Sequence, residues 1–282
     1  MGIDQIEKAF IQHNLADIWE DVKLHIKNSI KLSFNEKNDG EIKIGSSKIG
    51  GNPDLPINTE WPTNSNGPMS FICQINLSQL YQFDIENKLP NKGILSFFYD
   101  NEQSVWGFDP LDKNGFKVLY FLNDNDLVRN QPPEEIPEYG SFNAGELKMS
   151  NELNFPNVDS DLLNSLQLNI NQRSKYFDLI NSTIDETSNK VLGHSDNIQN
   201  GMEVECEFVS NGINYGDENC LEESKSKKLE QNAENWSLLL QIDSNDALNM
   251  MWGDSGRIYY WIKNDDLLNR NFDNCWFCLQ CY

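Results

Sequence analysis

Between Ile3 and Lys27, apolar residues recur at Ile3, Ile6, Phe10 and Ile11, then at Leu15, Ile18, Trp19, Val22 and Ile26. Steps of three and four place them on one stripe of a helix, so the segment predicts a helical cap with one greasy side. Asn14 interrupts the run and divides it into two short helices. From Ser29 the period drops to two. Ile30, Leu32 and Phe34 alternate with polar neighbours, the mark of a half-buried strand. Asn38 to Gly40 reads as a turn and Glu41 to Gly50 as a further strand. Gly50 to Pro62 carries two glycines and three prolines among Asn and Asp, which predicts a rigid loop.

Four blocks then occur twice in the same order. FICQIN (Phe71 to Asn76) is echoed by LLLQID (Leu238 to Asp243), and GILSFFYD (Gly93 to Asp100) by GRIYYWIK (Gly256 to Lys263). FKVLYFL (Phe116 to Leu122) is echoed by CWFCLQCY (Cys275 to Tyr282), and KIGGNPD (Lys48 to Asp54) more loosely by KVLGHSD (Lys190 to Asp196). The pattern predicts an internally duplicated α+β domain: two related β-rich halves around a shared core, with N-terminal helices. Simple alternation puts Phe71, Cys73 and Ile75 on one face of the first repeated strand and Gln74 and Asn76 on the other. Both faces of the repeated strands carry apolar bulk, as expected of central strands covered on two sides.

One domain over residues 1–282 therefore divides into a helical cap (1–28), a first half (29–130), a connector (131–188) and a second half (189–282). Within the connector, Gly145 to Phe155 offers a strand. Leu162 to Ser188 reads as helical, with Leu166, Ile170, Phe177 and Ile180 as buried positions. Cys220 to Trp236 is polar nearly throughout and reads as a solvated loop or short helix.

Composition sharpens the class. Fifteen Phe, nine Tyr and seven Trp supply ample core. Against 22 basic residues stand 44 acidic ones, a net charge of −22. A field of that sign repels nucleic-acid backbones and anionic membrane surfaces, and speeds encounter with a basic partner. The N-terminus lacks the basic and apolar regions of a signal peptide, and no apolar run approaches the ~20 residues of a membrane span. A cytoplasmic protein with six free thiols is the expectation.

The chain resembles the bacterial YwqG-like family of unassigned activity. The residues that carry the resemblance are KIGGNPDLP with WP (Lys48 to Pro62), GPMSFICQINLSQL (Gly67 to Leu80), LPNKGILSFFYD (Leu89 to Asp100), LLLQIDS, MMWGDSGRIYYWI (Met250 to Ile262) and the closing LQCY. It implies an α+β domain containing a duplication, and no particular reaction. Some relatives are encoded near secreted-toxin cassettes, which brings in an immunity role by analogy. The cysteine-rich last strand is a departure from relatives.

Few motifs carry chemistry. Cys275, Cys278 and Cys281 fit C-x-x-C-x-x-C, but an extended strand would set the outer two about 20 Å apart and turn Cys278 away. Small buried hydrophobes describe them better. His13, His25 and His194 form no cluster, no GxSxG elbow is present, and GSSKIGG lacks phosphate-loop spacing. Neither metal nor cofactor is expected.

The loop Asp243 to Gly256 concentrates Asp243, Asp246, Trp252 and Asp254. Its carboxylates suit Ca²⁺ or acid–base work, yet the EF-hand rhythm is missing, and Asp-rich turns also cap backbone. Gln74 and Gln241 each precede Asn76 or Asp243 by two. They either stitch the halves together or lie at the base of a cleft. The candidate cleft is thus Gln74, Asn76, Gln241, Asp243, Trp252, Asp254 and Arg257. The leading function is a non-enzymatic cytosolic binding protein, in its specific form an immunity-type inhibitor of a basic toxin. The alternative is a small-ligand-binding protein or enzyme using the cleft between the halves.

Overall fold

A computed structural model describes residues 2–123, 126–182, 188–217 and 226–282. Its strands are β1 (Lys27–Glu36), β2 (Lys48–Ile49), β3 (Asp54–Pro56), β4 (Thr63–Asn64), β5 (Gly67–Pro68), β6 (Ser70–Asn76) and β7 (Ile94–Tyr99). They continue as β8 (Phe116–Phe121), β9 (Leu127–Arg129), β10 (Gly145–Asn154), β11 (Lys190–Val191), β12 (Trp236–Asp243), β13 (Arg257–Lys263) and β14 (Trp276–Gln280). The helices are α1 (Ile3–Gln12), α2 (Trp19–Lys23), α3 (Leu77–Leu80), α4 (Asp161–Ser165), α5 (Ile170–Asn181), α6 (Glu203–Ser210), α7 (Ser226–Asn232) and α8 (Asn264–Leu268).

Ten strands form one antiparallel sheet in the order β14-β13-β12-β11-β1-β10-β2-β6-β7-β8. The longest pairing, β1 with β10, runs over ten residues from Lys27↔Asn154 to Glu36↔Gly145 and lies in the middle. The stretch read as a connector thus supplies a central strand. The sheet curls until its ends nearly meet, giving an almost barrel-shaped body. Residues 101–115 bridge the gap. Leu279 N–H donates to the Trp106 carbonyl at 3.0 Å, and Trp276 Nε1 donates to the Gly107 carbonyl at 2.7 Å. Inside, rings from opposite walls touch. Phe97 meets Tyr260 at 5.0 Å between centroids, and Tyr99 stacks on Phe277 at 4.2 Å. Such pairs add about 0.5–1.5 kcal/mol each to the burial of their area.

The register corrects the simple alternation. A bulge falls between Phe71 and Cys73, and another between Leu238 and Leu240. The extra residue turns Phe71 to the face of Gln74, Ser96 and Phe98, and Leu238 to the face of Gln241, Tyr259 and Trp261. Cys73 and Ile75 with Phe97 and Leu95, and Leu240 and Ile242 with Tyr260 and Ile258, face inward. On the outside Leu55, Met69, Phe71 and Phe98 form a small cluster with Trp61 and Leu119 against it.

The N-terminal segment is helical as its periodicity predicts, although Ile3 and Ile11 of the expected stripe are exposed. Ile6 and Phe10 of α1 are buried, and Asn14 adopts a left-handed φ of 54° that ends the helix. This cap packs with α4 and α5 around Phe10, Trp19, Phe155 and Tyr176, a second core apart from the sheet interior. Two expectations change. Of Glu41 to Gly50 only Lys48–Ile49 pairs as a strand, because Gly45, Gly50 and Gly51 all take positive φ. In α5, Ile180 is buried as expected, but Tyr176 and Leu179 are buried with it while Ile170 and Phe177 are exposed, so the buried face is shifted from the expected one. Residues 183–187 and 218–225 of the two segments read as helical or polar lie outside the described residues.

Candidate functional site

Two buried polar clusters hold most of the residues singled out in the sequence. In the first, Lys48 on β2 stands opposite Gln74 on β6. Gln74 is fully buried and uses its whole amide: Oε1 accepts Asp54 N–H at 2.8 Å, and Nε2 donates to the Ser46 carbonyl and to Asp54 Oδ2, both at 2.8 Å. Asp54 also takes Arg129 Nε at 2.6 Å and Gly45 N–H at 2.9 Å. Lys48, wholly buried, reaches Asp39 Oδ1 at 2.8 Å and the Asn52 carbonyl. Burial pulls its ammonium below the ordinary lysine value, against the opposing pull of Asp39 and Asp54. Asn76 caps α3, accepting Ser78 N–H at 2.9 Å, and its own N–H donates to Ser47 Oγ at 2.8 Å.

The second cluster is built in the same way. Lys190 on β11 stands opposite Gln241 on β12. Gln241 Oε1 accepts Asp196 N–H at 2.9 Å, and Nε2 donates to the Ser188 carbonyl at 2.7 Å and to Asp196 Oδ2 at 3.0 Å. Lys190 Nζ lies 2.6 Å from Asp196. Burial alone would raise the Asp196 carboxyl, but Lys190, Ser188 and Gln241 outweigh it and hold the group below the ordinary aspartate value. Asp243 N–H donates to Asn189 Oδ1 at 2.8 Å, its Oδ2 accepts Ser188 N–H at 3.0 Å, and its Oδ1 pairs with Arg257 Nε at 3.0 Å. Arg257 and Tyr259 both donate to the Asp196 carbonyl, at 3.0 and 2.8 Å. Even the backbone corresponds. Gly50 and Gly51 have φ of 62° and 67°, and Leu192 and Gly193 have 60° and 78°.

The fold therefore brings Gln241, Asp243 and Arg257 together and sets Gln74 and Asn76 in the other cluster. Five strand spacings separate Gln74 and Gln241 along the sheet, about 24 Å. Trp252 is buried between Tyr99 and Phe142, with ring centroids 6.2 and 5.2 Å away. Asp254 is exposed in the turn before β13. Lys48, Asp54, Lys190 and Asp196 were not singled out, although a lysine and an aspartate six residues apart in both echoes carried the signal.

A concave feature lies elsewhere, at the seam where the sheet ends approach. A groove of 690 Å³ runs there, walled by Trp61 and Met69 on one side and Phe272 and Asp273 on the other, with Phe116 to Leu119 of β8 between them. Trp61 Nε1 donates to the Met69 carbonyl at 2.9 Å, which fixes the indole on the outer wall. Lys113 Nζ donates to the carbonyls of Asp273 and Cys275, each at 2.7 Å, and Lys117 Nζ meets Asp273 Oδ1 at 2.5 Å. Side chains, not a strand ladder, tie the two lips.

A further buried group sits under α6. Cys206 Sγ is 3.7 Å from Cys278 Sγ, and Cys278 is 3.5 Å from Glu205 Oε1. Burial raises both thiols and pushes the Glu205 carboxyl up to about 7. Uncharged thiols of this kind are poor nucleophiles. Among the described residues, no three His, Cys, Asp or Glu are grouped to hold a metal ion, and no helix is long and apolar enough to cross a membrane.

No curated protein was found to match the chain. A family described as a domain of unknown function, DUF1963, matches residues 47–281, which takes in all of the second polar cluster, most of the first and both lips of the groove. The chain belongs to that DUF1963 family.

Proposed function

We propose that this protein is a non-enzymatic binding protein for a basic protein partner, and in its specific form an immunity-type inhibitor of a basic toxin. The observation that carries the reading is where the charge goes. The fold pairs Lys48, Arg129, Lys190 and Arg257, buried or half-buried, with Asp39, Asp54, Asp196 and Asp243, one cation for each anion. Most of the excess behind the net −22 is left for the exterior, where it raises the encounter rate with a cationic surface. The titratable groups that the fold collects are locked in structural bonds.

The test is retention of basic proteins from a lysate of the encoding cells on the immobilised chain, together with co-expression beside a toxin encoded next to it. The expected result is one basic protein held in fixed stoichiometry at low salt, released as salt screens the charges, and protection of the cell. Retention of no basic protein, or no protection, removes the reading at the corresponding level.

We infer further that the chain is an internal duplication of YwqG-like type that works in the cytoplasm. Support for duplication comes from the matched Lys–Asp–Gln contacts, the matched bulges and the matched left-handed pairs. The YwqG-like motifs fall on these same elements. A small-ligand or enzymatic reading draws on the seam groove, which lies between the ends of the two halves. Ligand-dependent shifts in the Trp61 indole signal would carry it.

A further inference from the structure

We propose that the open edge of β8 is a docking strand, on which an extended segment of the basic partner lies in the seam groove and adds itself to the sheet; this rests on the binding reading above. The phase of the ladder decides which main-chain groups are free. Leu77 N–H donates to the Gly93 carbonyl at 2.9 Å, and Asp100 N–H donates to the Gly115 carbonyl at 2.7 Å. Antiparallel pairs alternate between bonded and unbonded, so Phe98 with Lys117 and Ser96 with Leu119 are the bonded pairs of β7 and β8. The N–H and C=O groups of Phe116, Val118 and Tyr120 therefore point away from β7. Among the described residues no strand pairs with that edge.

The groove follows this edge and not a face. Four successive residues, Phe116, Lys117, Val118 and Leu119, all line it. Successive strand residues point to opposite faces, so only a channel along the edge collects all four. Phe116 and Val118 are themselves buried, so an incoming strand reaches their donors and acceptors only along the floor of the groove. Its alternating side chains would meet Trp61 and Met69 on one side and Phe272 on the other, the geometry of strand addition. Six residues of β8 span about 20 Å, enough for a segment of about six residues. The opposite end of the sheet offers less, because Leu279 N–H is already taken by Trp106.

Charge selects the occupant. The rim acids are Glu60 and Asp273, on a chain of net −22. The two lysines in the groove are turned to its far lip, Lys113 onto backbone carbonyls and Lys117 onto Asp273. A Lys or Arg of the partner can replace Lys117 at Asp273. The segment that fits is extended, with apolar residues alternating with basic ones.

The probe is a panel of synthetic ten-residue peptides alternating Val, Ile or Phe with Lys or Arg, and the same peptides N-methylated at alternate backbone amides. The full chain is followed by amide hydrogen exchange. The expected result is at least tenfold slower exchange at Val118 and Tyr120 with the unmodified peptides and none with those methylated on the bonding edge. Val118→Pro, whose lost N–H faces the groove, should abolish binding. Peptides that bind without protecting Val118 and Tyr120, or bind equally well when methylated in either phase, overturn the proposal. So does capture of a basic protein that leaves both amides unprotected, an outcome under which the binding reading stands. Retention of no basic protein removes the reading beneath.

Discussion

Gln241 and Asp196 grip each other twice: the amide oxygen accepts the aspartate's backbone N–H at 2.9 Å, while the amide nitrogen donates to its carboxylate at 3.0 Å. Gln74 and Asp54 form the same double contact at 2.8 Å in each direction. A glutamine on an interior strand thus pins the turn that follows a left-handed backbone pair, and does so at two places along the sheet.

Removal of either amide should therefore be costly and equal. Gln74→Ala and Gln241→Ala each leave a buried N–H, a carbonyl and a carboxylate short of a partner, for an expected loss of about 3 kcal/mol. The two amides are about 24 Å apart along the sheet and share no partner, so the double variant should lose the sum. Urea unfolding of the three variants measures this, and a single-variant difference of several kcal/mol would sink the equivalence.

Lys190 is the counter-charge of Asp196, and Lys190→Met strands that carboxylate inside the protein. The expected cost near neutral pH is about 3–5 kcal/mol. The sign of the pH dependence follows from the lowered Asp196 carboxyl. Its stabilisation is present above the ordinary aspartate value of 3.8 and is lost as pH falls through the folded value. Without Lys190, burial favours the neutral acid, so the variant should gain relative to the parent as the solution becomes acidic. A gap in urea midpoint that stays constant down to pH 3 contradicts this.

What could be read from the chain beforehand was element type more than element face. Strands β6, β7, β12 and β13 announced themselves through apolar runs, but their burial on both sides made alternation silent about the bulges after Phe71 and Leu238. Ile170 and Phe177 fitted a helical stripe as well as Tyr176 and Leu179 did, and only packing against Phe10 and Phe155 chose between them. The segment that became β10 looked marginal because half its residues face partly open surface. Gln74 and Gln241 were visible as a matched pair. Their partners Asp54 and Asp196 become partners only when the glycine-rich turn folds back. The groove draws on residues near 60, 115 and 273, and no local pattern joins segments so far apart in sequence.

Glu205 gives a pH signature of the opposite sign. Burial raises its carboxyl to about 7 from an ordinary 4.5. Between those values the folded protein keeps a proton that the unfolded chain releases, so this group's contribution falls as pH rises from 4.5 to 7 and is flat above. His194, buried beside Lys27, Lys190 and His25, is pushed well below 6.5 and works the other way, losing stability as pH falls below that value. Glu205→Gln isolates the first effect. Its stability relative to the parent should rise steadily from pH 4.5 to 7, as read from urea midpoints. An offset independent of pH rules out the protonated carboxyl.

Closure of the seam depends on a residue without a side chain. Gly107 has a φ of 101°, and a Cβ there would collide with the Phe277 carbonyl of β14. Gly212, with a φ of 81°, has nothing within 4 Å of the same atom. An alanine at either position incurs the backbone cost of a left-handed residue, about 1–2 kcal/mol. Only at Gly107 does it also push residues 105–107 off β14 and break the bond from Trp276 Nε1. Gly107→Ala should therefore lose more stability than Gly212→Ala and should speed hydrogen exchange at the Leu279 amide, which Trp106 holds. Equal losses, or an unchanged Leu279 amide, would mean that the bridge across the sheet ends is not what keeps the barrel closed.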